Sequence, residues 1–203
     1  MRVYSASSGE FLKEIIPYDC MVEYCLPGSA IGYDGSAIWM TSHTSAFAIN
    51  ATSVNLTGTR RDVTWLTAGK MVFDSRCMWM GSGDAGLTSF PVSGGSCPGS
   101  EMSWWVGTED GAVWDGALLW GVDQYGYVKN FDPLTGLMVK VYPLDAASGV
   151  IAFDGERIWI AHKNGNTIQA IHAASGSLGD PIQVGNQPSA LLFDGTRLWI
   201  ANA

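Results

Sequence analysis

Positive charge is scarce in this sequence, with 11 Lys and Arg against 19 Asp and Glu and a net charge of −8 over 203 residues. The basic residues are scattered singly apart from Arg60-Arg61. No basic stripe is available to neutralise a row of phosphates, which argues against nucleic acid and anionic membrane surfaces as partners. No run approaches the roughly 18 consecutive apolar residues of a membrane-crossing helix, so no membrane insertion is expected. The segment Met1-Arg2-Val3-Tyr4-Ser5 lacks the apolar core of a signal peptide and reads as strand. If the protein is exported, its signal has been removed or it leaves by another route, such as inside a virion. Helical periodicity is missing throughout, as are a Cys/His cluster of zinc spacing and a phosphate-binding glycine loop.

What the sequence has instead is one phrase written five times: an aromatic residue, Asp, usually Gly, two variable residues, an aliphatic residue, Trp. It runs from Tyr33-Asp34-Gly35 to Ile38-Trp39 and from Phe73-Asp74-Ser75 to Met78-Trp79. It recurs from Trp114-Asp115-Gly116 to Leu119-Trp120, from Phe153-Asp154-Gly155 to Ile158-Trp159, and from Phe193-Asp194-Gly195 to Leu198-Trp199. The tryptophans lie 40, 41, 39 and 40 residues apart, a period that marks a repeat architecture. Asp-Gly between apolar runs favours a tight hairpin, because Gly and Asp tolerate the positive φ that such turns need. In each unit a short apolar strand precedes the turn and a second strand runs through the Trp. A third follows, as in Thr167 to His172, and a fourth closes the unit, as in Leu137 to Tyr142.

Four strands per 40 residues, repeated radially, is a β-propeller blade. The fold expected is all-β: one domain spanning 1–203, with blades near 30–66, 70–107, 111–144 and 149–184 and a fifth composite blade. The C-terminal segment 188–203 supplies two strands of that blade, and residues 3–16, within the N-terminal 1–16, match the third and fourth strands of other units. Joining them closes a five-bladed ring without exposed edges. A piece of a larger propeller, or an open piece that assembles with copies of itself, is the competing arrangement.

Phe153-Asp154-Gly155-Glu156-Arg157-Ile158-Trp159-Ile160-Ala161 and Pro188 through Asn202 resemble the "FDG-x-x-IWVAN" repeats of bacterial propellers of the YVTN, NHL and streptogramin-lyase-like group. The resemblance is good over 108–203 and Val3–Ile16 and degraded over 40–107. These motifs specify a blade and are shared by proteins of unrelated function.

The five aspartates and five tryptophans are therefore read as scaffold, the Asp accepting backbone hydrogen bonds at its turn and the Trp packing between blades. The discriminating position lies three residues after each Trp: Ser42, Ser82, Asp123, His162 and Asn202. It should end the second strand on the face where loops gather around the central opening. There the repeats stop agreeing, as an asymmetric ligand would require. His43, Tyr125 and Lys163 follow closely. The lyase-like members of the group place acidic and histidine groups on this face around a metal. That resemblance implies a lyase- or hydrolase-like alternative acting at Asp123 and His162 with a divalent metal, although the Glu of the "LWFTE"-like repeats is absent in every unit. Apart from that alternative, no cofactor or metal is expected.

Glycosidase chemistry needs paired inward carboxylates, and Glu23, Glu109, Asp110 and Asp145 form no such pattern. Trp104 and Trp105 alternate along an outer strand, so one is expected to face outward, where aromatic side chains stack on sugars or anchor proteins. The four cysteines suggest bridges Cys77–Cys97 and Cys20–Cys25, against the alternative of four buried thiols. Bridges would favour an oxidising compartment, hence an extracellular, cell-surface or virion setting. The function expected is a non-enzymatic binding module presenting a polar face to a glycan or protein.

Overall fold

The computed structural model describes residues 2–5, 7–15, 30–42, 45–62, 71–81, 87–98, 112–122, 125–144 and 150–203. All regular structure among them is antiparallel β, with no helix. Strands β1 (Arg2–Tyr4) and β2 (Phe11–Glu14) form a two-stranded sheet. A four-stranded meander follows: β3 (Ile31–Tyr33), β4 (Ala37–Ser42), β5 (Ser45–Asn50) and β6 (Leu56–Asp62). Next come β7 (Met71–Phe73), β8 (Cys77–Gly81) and β9 (Leu87–Pro91) as three described strands. Then come β10 (Ala112–Trp114), β11 (Leu119–Val122), β12 (Val128–Phe131) and β13 (Met138–Tyr142). A last four-stranded sheet holds β14 (Ile151–Phe153), β15 (Arg157–His162), β16 (Thr167–His172) and β17 (Ile182–Gln183). Strands β18 (Pro188–Phe193) and β19 (Leu198–Asn202) pair alone.

Each sheet packs on the next through its first strand, in the series β3, β7, β10, β14, β18. The contact is closest at Gly32, where an added Cβ would lie 2.5 Å from Met71 Cβ; any larger residue there would force the two sheets apart.

The five turns share one geometry. The aspartate Oδ1 accepts the amide N–H two and three residues on, as in Asp154 with Glu156 (2.8 Å) and Arg157 (2.6 Å). The residue after Asp takes positive φ: Gly35 at 95°, Gly116 at 101°, Gly155 at 98° and Gly195 at 94°. In the second unit Ser75 occupies that position at 77°, a backbone region that costs a side-chain-bearing residue free energy.

The first four tryptophans form the inter-sheet core, each covered by the sheet that follows. Trp39 packs with Met71, Met78, Met80 and Phe90, and Trp79 with Ala112, Leu119 and Phe131. Trp120 packs with Ile151, Ile158, Ile160 and Ile171, and Trp159 against the cluster of Leu191, Leu198 and Ile200. The fifth, Trp199, is 55% exposed, whereas Trp39, Trp79 and Trp120 are buried. Sheets β1–β2 and β18–β19 stand separately, with no ladder joining them.

Cys77 and Cys97 are joined by a disulfide with Cα atoms 6.0 Å apart. Cys77 is fully buried beside Trp79, and Cys97 packs on the same cluster. The bridge thus ties the segment after β9 to the base of β8. Cys20 and Cys25 lie outside the described residues.

Candidate functional site

The repeated carboxylates are spent on structure. In every unit the aspartate Oδ2 accepts the indole N–H of the Trp five residues on, at 2.7, 2.8, 2.6, 2.7 and 2.6 Å from Asp34 to Asp194. Burial pushes the Asp34 and Asp154 carboxyls up. The surrounding donors outweigh it and hold both below the usual carboxylate range. At Asp194 the Trp199 indole N–H leads the lowering, with the amides of Arg197 and Thr196 behind it. A carboxylate committed to three donors has little left to offer a ligand.

The five positions that follow the tryptophans sit at equivalent places. Ser42, His162 and Asn202 are the last residues of β4, β15 and β19, while Ser82 and Asp123 come directly after β8 and β11. Ser82, Asp123, His43, Trp104 and Trp105 lie outside the described residues, so the Asp123–His162 pair has no described geometry. Tyr125 is exposed in the β11–β12 connection. His162 is half-buried, its Nε2 is shielded from solvent, and its carbonyl accepts the Gly165 N–H to close the β15–β16 turn. Among the described residues no three His, Cys, Asp or Glu side chains converge as a metal site.

Lys163 lines an open cleft of about 390 Å³ together with Asn164, Asn166, Asn186, Gln187 and Ala203. Its walls are the β15–β16 turn, the connection from β17 to β18, and the end of β19. Asn166 holds two of these together. Its Oδ1 accepts the Gln187 N–H (2.8 Å), and its carbonyl accepts the Val184 N–H (2.9 Å) and the Gln183 side-chain N–H (2.8 Å). The Ala203 N–H donates to the Gln187 carbonyl at 3.2 Å and attaches the third wall. Gly185 lies against the Asn202 side chain, and a Cβ there would meet its Nδ2 at 2.6 Å and push that side chain aside.

Two wall residues, Asn166 (φ 52°) and Gln187 (φ 47°), have left-handed backbone. Asn tolerates that region. Gln187 is less suited to it and stands directly before Pro188, which further disfavours helical backbone. Of the sequence-derived site residues, the cleft therefore gathers Lys163, with Asn202 behind the wall and His162 preceding the turn. Asn164, Asn166, Asn186 and Gln187 were not among the expected residues. The Asn-Gly-Asn turn followed, about twenty residues later, by Gly-Asn-Gln-Pro was the signal that could have found them.

No protein-family model matches the sequence, and neither does any curated protein sequence. Among solved structures, the chain is similar to BamB from Moraxella catarrhalis, with a TM-score of 0.65 and 12% sequence identity. The match covers 87% of this chain and 56% of that one, so this chain spans little more than half the length of that structure. Together with the succession of face-packed antiparallel sheets, the likeness shows a β-propeller fold.

Proposed function

We propose that the chain is a non-enzymatic binding module whose strand 2–3 loop face engages a glycan or protein partner. The observation that carries this reading is the polar cleft at Lys163, Asn166 and Gln187, built where the repeats diverge and braced by hydrogen bonds between two connections.

The finer architecture proposed is a closed five-bladed ring of the YVTN, NHL and streptogramin-lyase-like kind. Two bare surfaces support it. On the face of the β3–β6 sheet turned away from β7, the outer part is covered, Met40, Phe47 and Ile49 packing with Ile15 and Val3 of the N-terminal segment. Its inner part is bare, with Ile31 58% and Tyr33 56% exposed. Their counterparts Ile151 and Phe153 receive Trp120. Leu192 (64%) and Trp199 (55%) of β18–β19 are bare in turn. Seating Trp199 on Ile31 and Tyr33 brings β19 beside β1 and gives every Trp the same environment.

The Cys77–Cys97 bridge supports an extracellular, cell-surface or virion location. The test is a glycan array, with a candidate surface protein as a second probe. Lys163→Ala and Asn202→Ala should abolish the signal while the far-ultraviolet circular dichroism stays unchanged. A signal untouched by both substitutions would move the site off this face.

A further inference from the structure

We propose that Asn164 is a self-modifying residue: its side-chain amide is lost to attack by the Gly165 backbone nitrogen, and the position ends as aspartate or isoaspartate. The reaction needs only water and does not depend on what this face binds.

The chemistry is that of an asparagine followed by a residue without a Cβ. The Gly165 nitrogen bonds to Asn164 Cγ, the Cγ–Nδ2 bond breaks, and ammonia leaves with the proton that the nitrogen gives up. Water then opens the cyclic imide at either carbonyl. One product is aspartate; the other is isoaspartate, its backbone rerouted through the side chain. Glycine leaves its nitrogen unshielded, and Asn-Gly occurs once in the chain, at Asn164-Gly165. Both residues are exposed in the turn between β15 and β16. Among the described residues the Asn164 side chain has no hydrogen-bond partner to hold its carboxamide away from the backbone. The Gly165 N–H donates to the His162 carbonyl at 3.1 Å. An exposed bond of this kind slows a step that must break it by about tenfold at most.

The Asp-Gly turns of the repeat share this spacing and are locked. At Asp34, Asp115, Asp154 and Asp194 the carboxylate holds two amide N–H groups on Oδ1 and an indole N–H on Oδ2. Its Cγ cannot turn toward the glycine nitrogen without breaking all three bonds. Asp34, Asp154 and Asp194 also titrate below the ordinary 3.8, and an ionised carboxylate gives up no oxygen to such an attack. Asp110-Gly111 lies outside the described residues. Conversion at Asn164 is one-way. It places a carboxylate beside Lys163, and the isoaspartyl form lengthens the backbone of the turn that joins β15 to β16.

The test incubates the folded protein at neutral and at mildly alkaline pH beside the isolated peptide that spans Asn164, until that peptide has largely converted. Peptide mapping by mass spectrometry, with chromatographic separation of the aspartyl and isoaspartyl products, reads every asparagine. Asn164 should convert within about tenfold of the peptide's rate. It should outpace the other six asparagines by about tenfold or more and react faster at the alkaline pH. The four repeat turns should yield no isoaspartate. Gly165→Ala adds a Cβ that would lie 3.4 Å from Thr167 Oγ1, an ordinary contact. It should slow conversion about tenfold or more while the far-ultraviolet circular dichroism stays unchanged. An intact Asn164 beside a converted peptide overturns the proposal, as does another asparagine converting faster. Conversion of Gly165→Ala at the original rate would reject attack by this nitrogen. Isoaspartate forming in the repeat turns as fast as at Asn164 would remove the contrast on which the assignment rests.

Discussion

Trp79 donates its indole N–H to Asp74 Oδ2 across 2.8 Å, and both side chains are buried. The same carboxylate takes the amides of Arg76 (2.8 Å) and Cys77 (2.6 Å) through its other oxygen. One side chain therefore shapes the turn and also fixes the ring that fills the gap between sheets. Turn and core cannot vary independently in this fold.

Asp74→Asn keeps an acceptor for the two amides but turns an NH2 group toward the indole N–H. Two buried donors then face each other. The variant should lose about 2 kcal/mol, since a buried polar group stripped of its partner costs roughly 1–3 kcal/mol. Urea unfolding followed by tryptophan fluorescence measures it, and a loss below a few tenths would show that the pair contributes little.

Ser75 holds φ 77° where the other four turns have glycine. Ser75→Gly removes that strain without disturbing a core contact. A gain of about 1 kcal/mol is expected, which for a chain of this size raises the melting temperature by roughly 2–4 °C. An unchanged or lower melting temperature would contradict it.

Asp34, Asp154 and Asp194 titrate below the ordinary 3.8 in the folded protein. Their contribution to stability is complete above the unfolded value and is lost as the pH falls through the folded ones. Thermal melts should show an acid limb beginning near pH 4, and that limb should shrink in a variant with all three changed to Asn. A limb that is the same in both proteins would assign acid sensitivity to other groups.

Trp199 separates a closed ring from an open one. Trp199→Ala should cost about 3 kcal/mol if the side chain seats on Ile31 and Tyr33 in solution, as removal of a buried aromatic does. Trp39→Ala serves as the buried reference. A cost below about 1 kcal/mol, the scale of an exposed substitution, would leave the ring open.

The sequence made the repeat, the hairpin turns and the strand order legible because each is a local property. β16 spans Thr167–His172, the span that pattern alone suggests, and the positions after each Trp end or follow the second strands. The Asp–Trp hydrogen bond was also in view as a fixed spacing of five residues. It went unread because the turn explained the Asp and packing explained the Trp. The cleft was harder to see. Its walls come from a turn and a connection 21 residues apart, joined through Asn166 and Gln187. A column-by-column comparison of repeats finds a divergent position; it does not find two segments that meet only after neighbouring sheets pack. Asp123, Trp104 and Trp105 lie outside the described residues, so the portion of the site expected around them has no structural counterpart.

Because each sheet rests mainly on the one before and the one after, cooperativity passes along the molecule step by step. Sheets in the middle of the series lean on two neighbours, whereas β18–β19, with Trp199 bare, leans on one. With the ring open, amide protection should be graded, strongest around β8, β11 and β15 and weakest in β19; closing it through Trp199 should bring β19 up to the others. The cleft wall at Ala203 belongs to that weakest element and the wall at Asn166 to one of the stronger ones. In the open ring, a ligand bridging the two walls would raise the protection of β19 far more than that of β15; in the closed ring the two should respond alike.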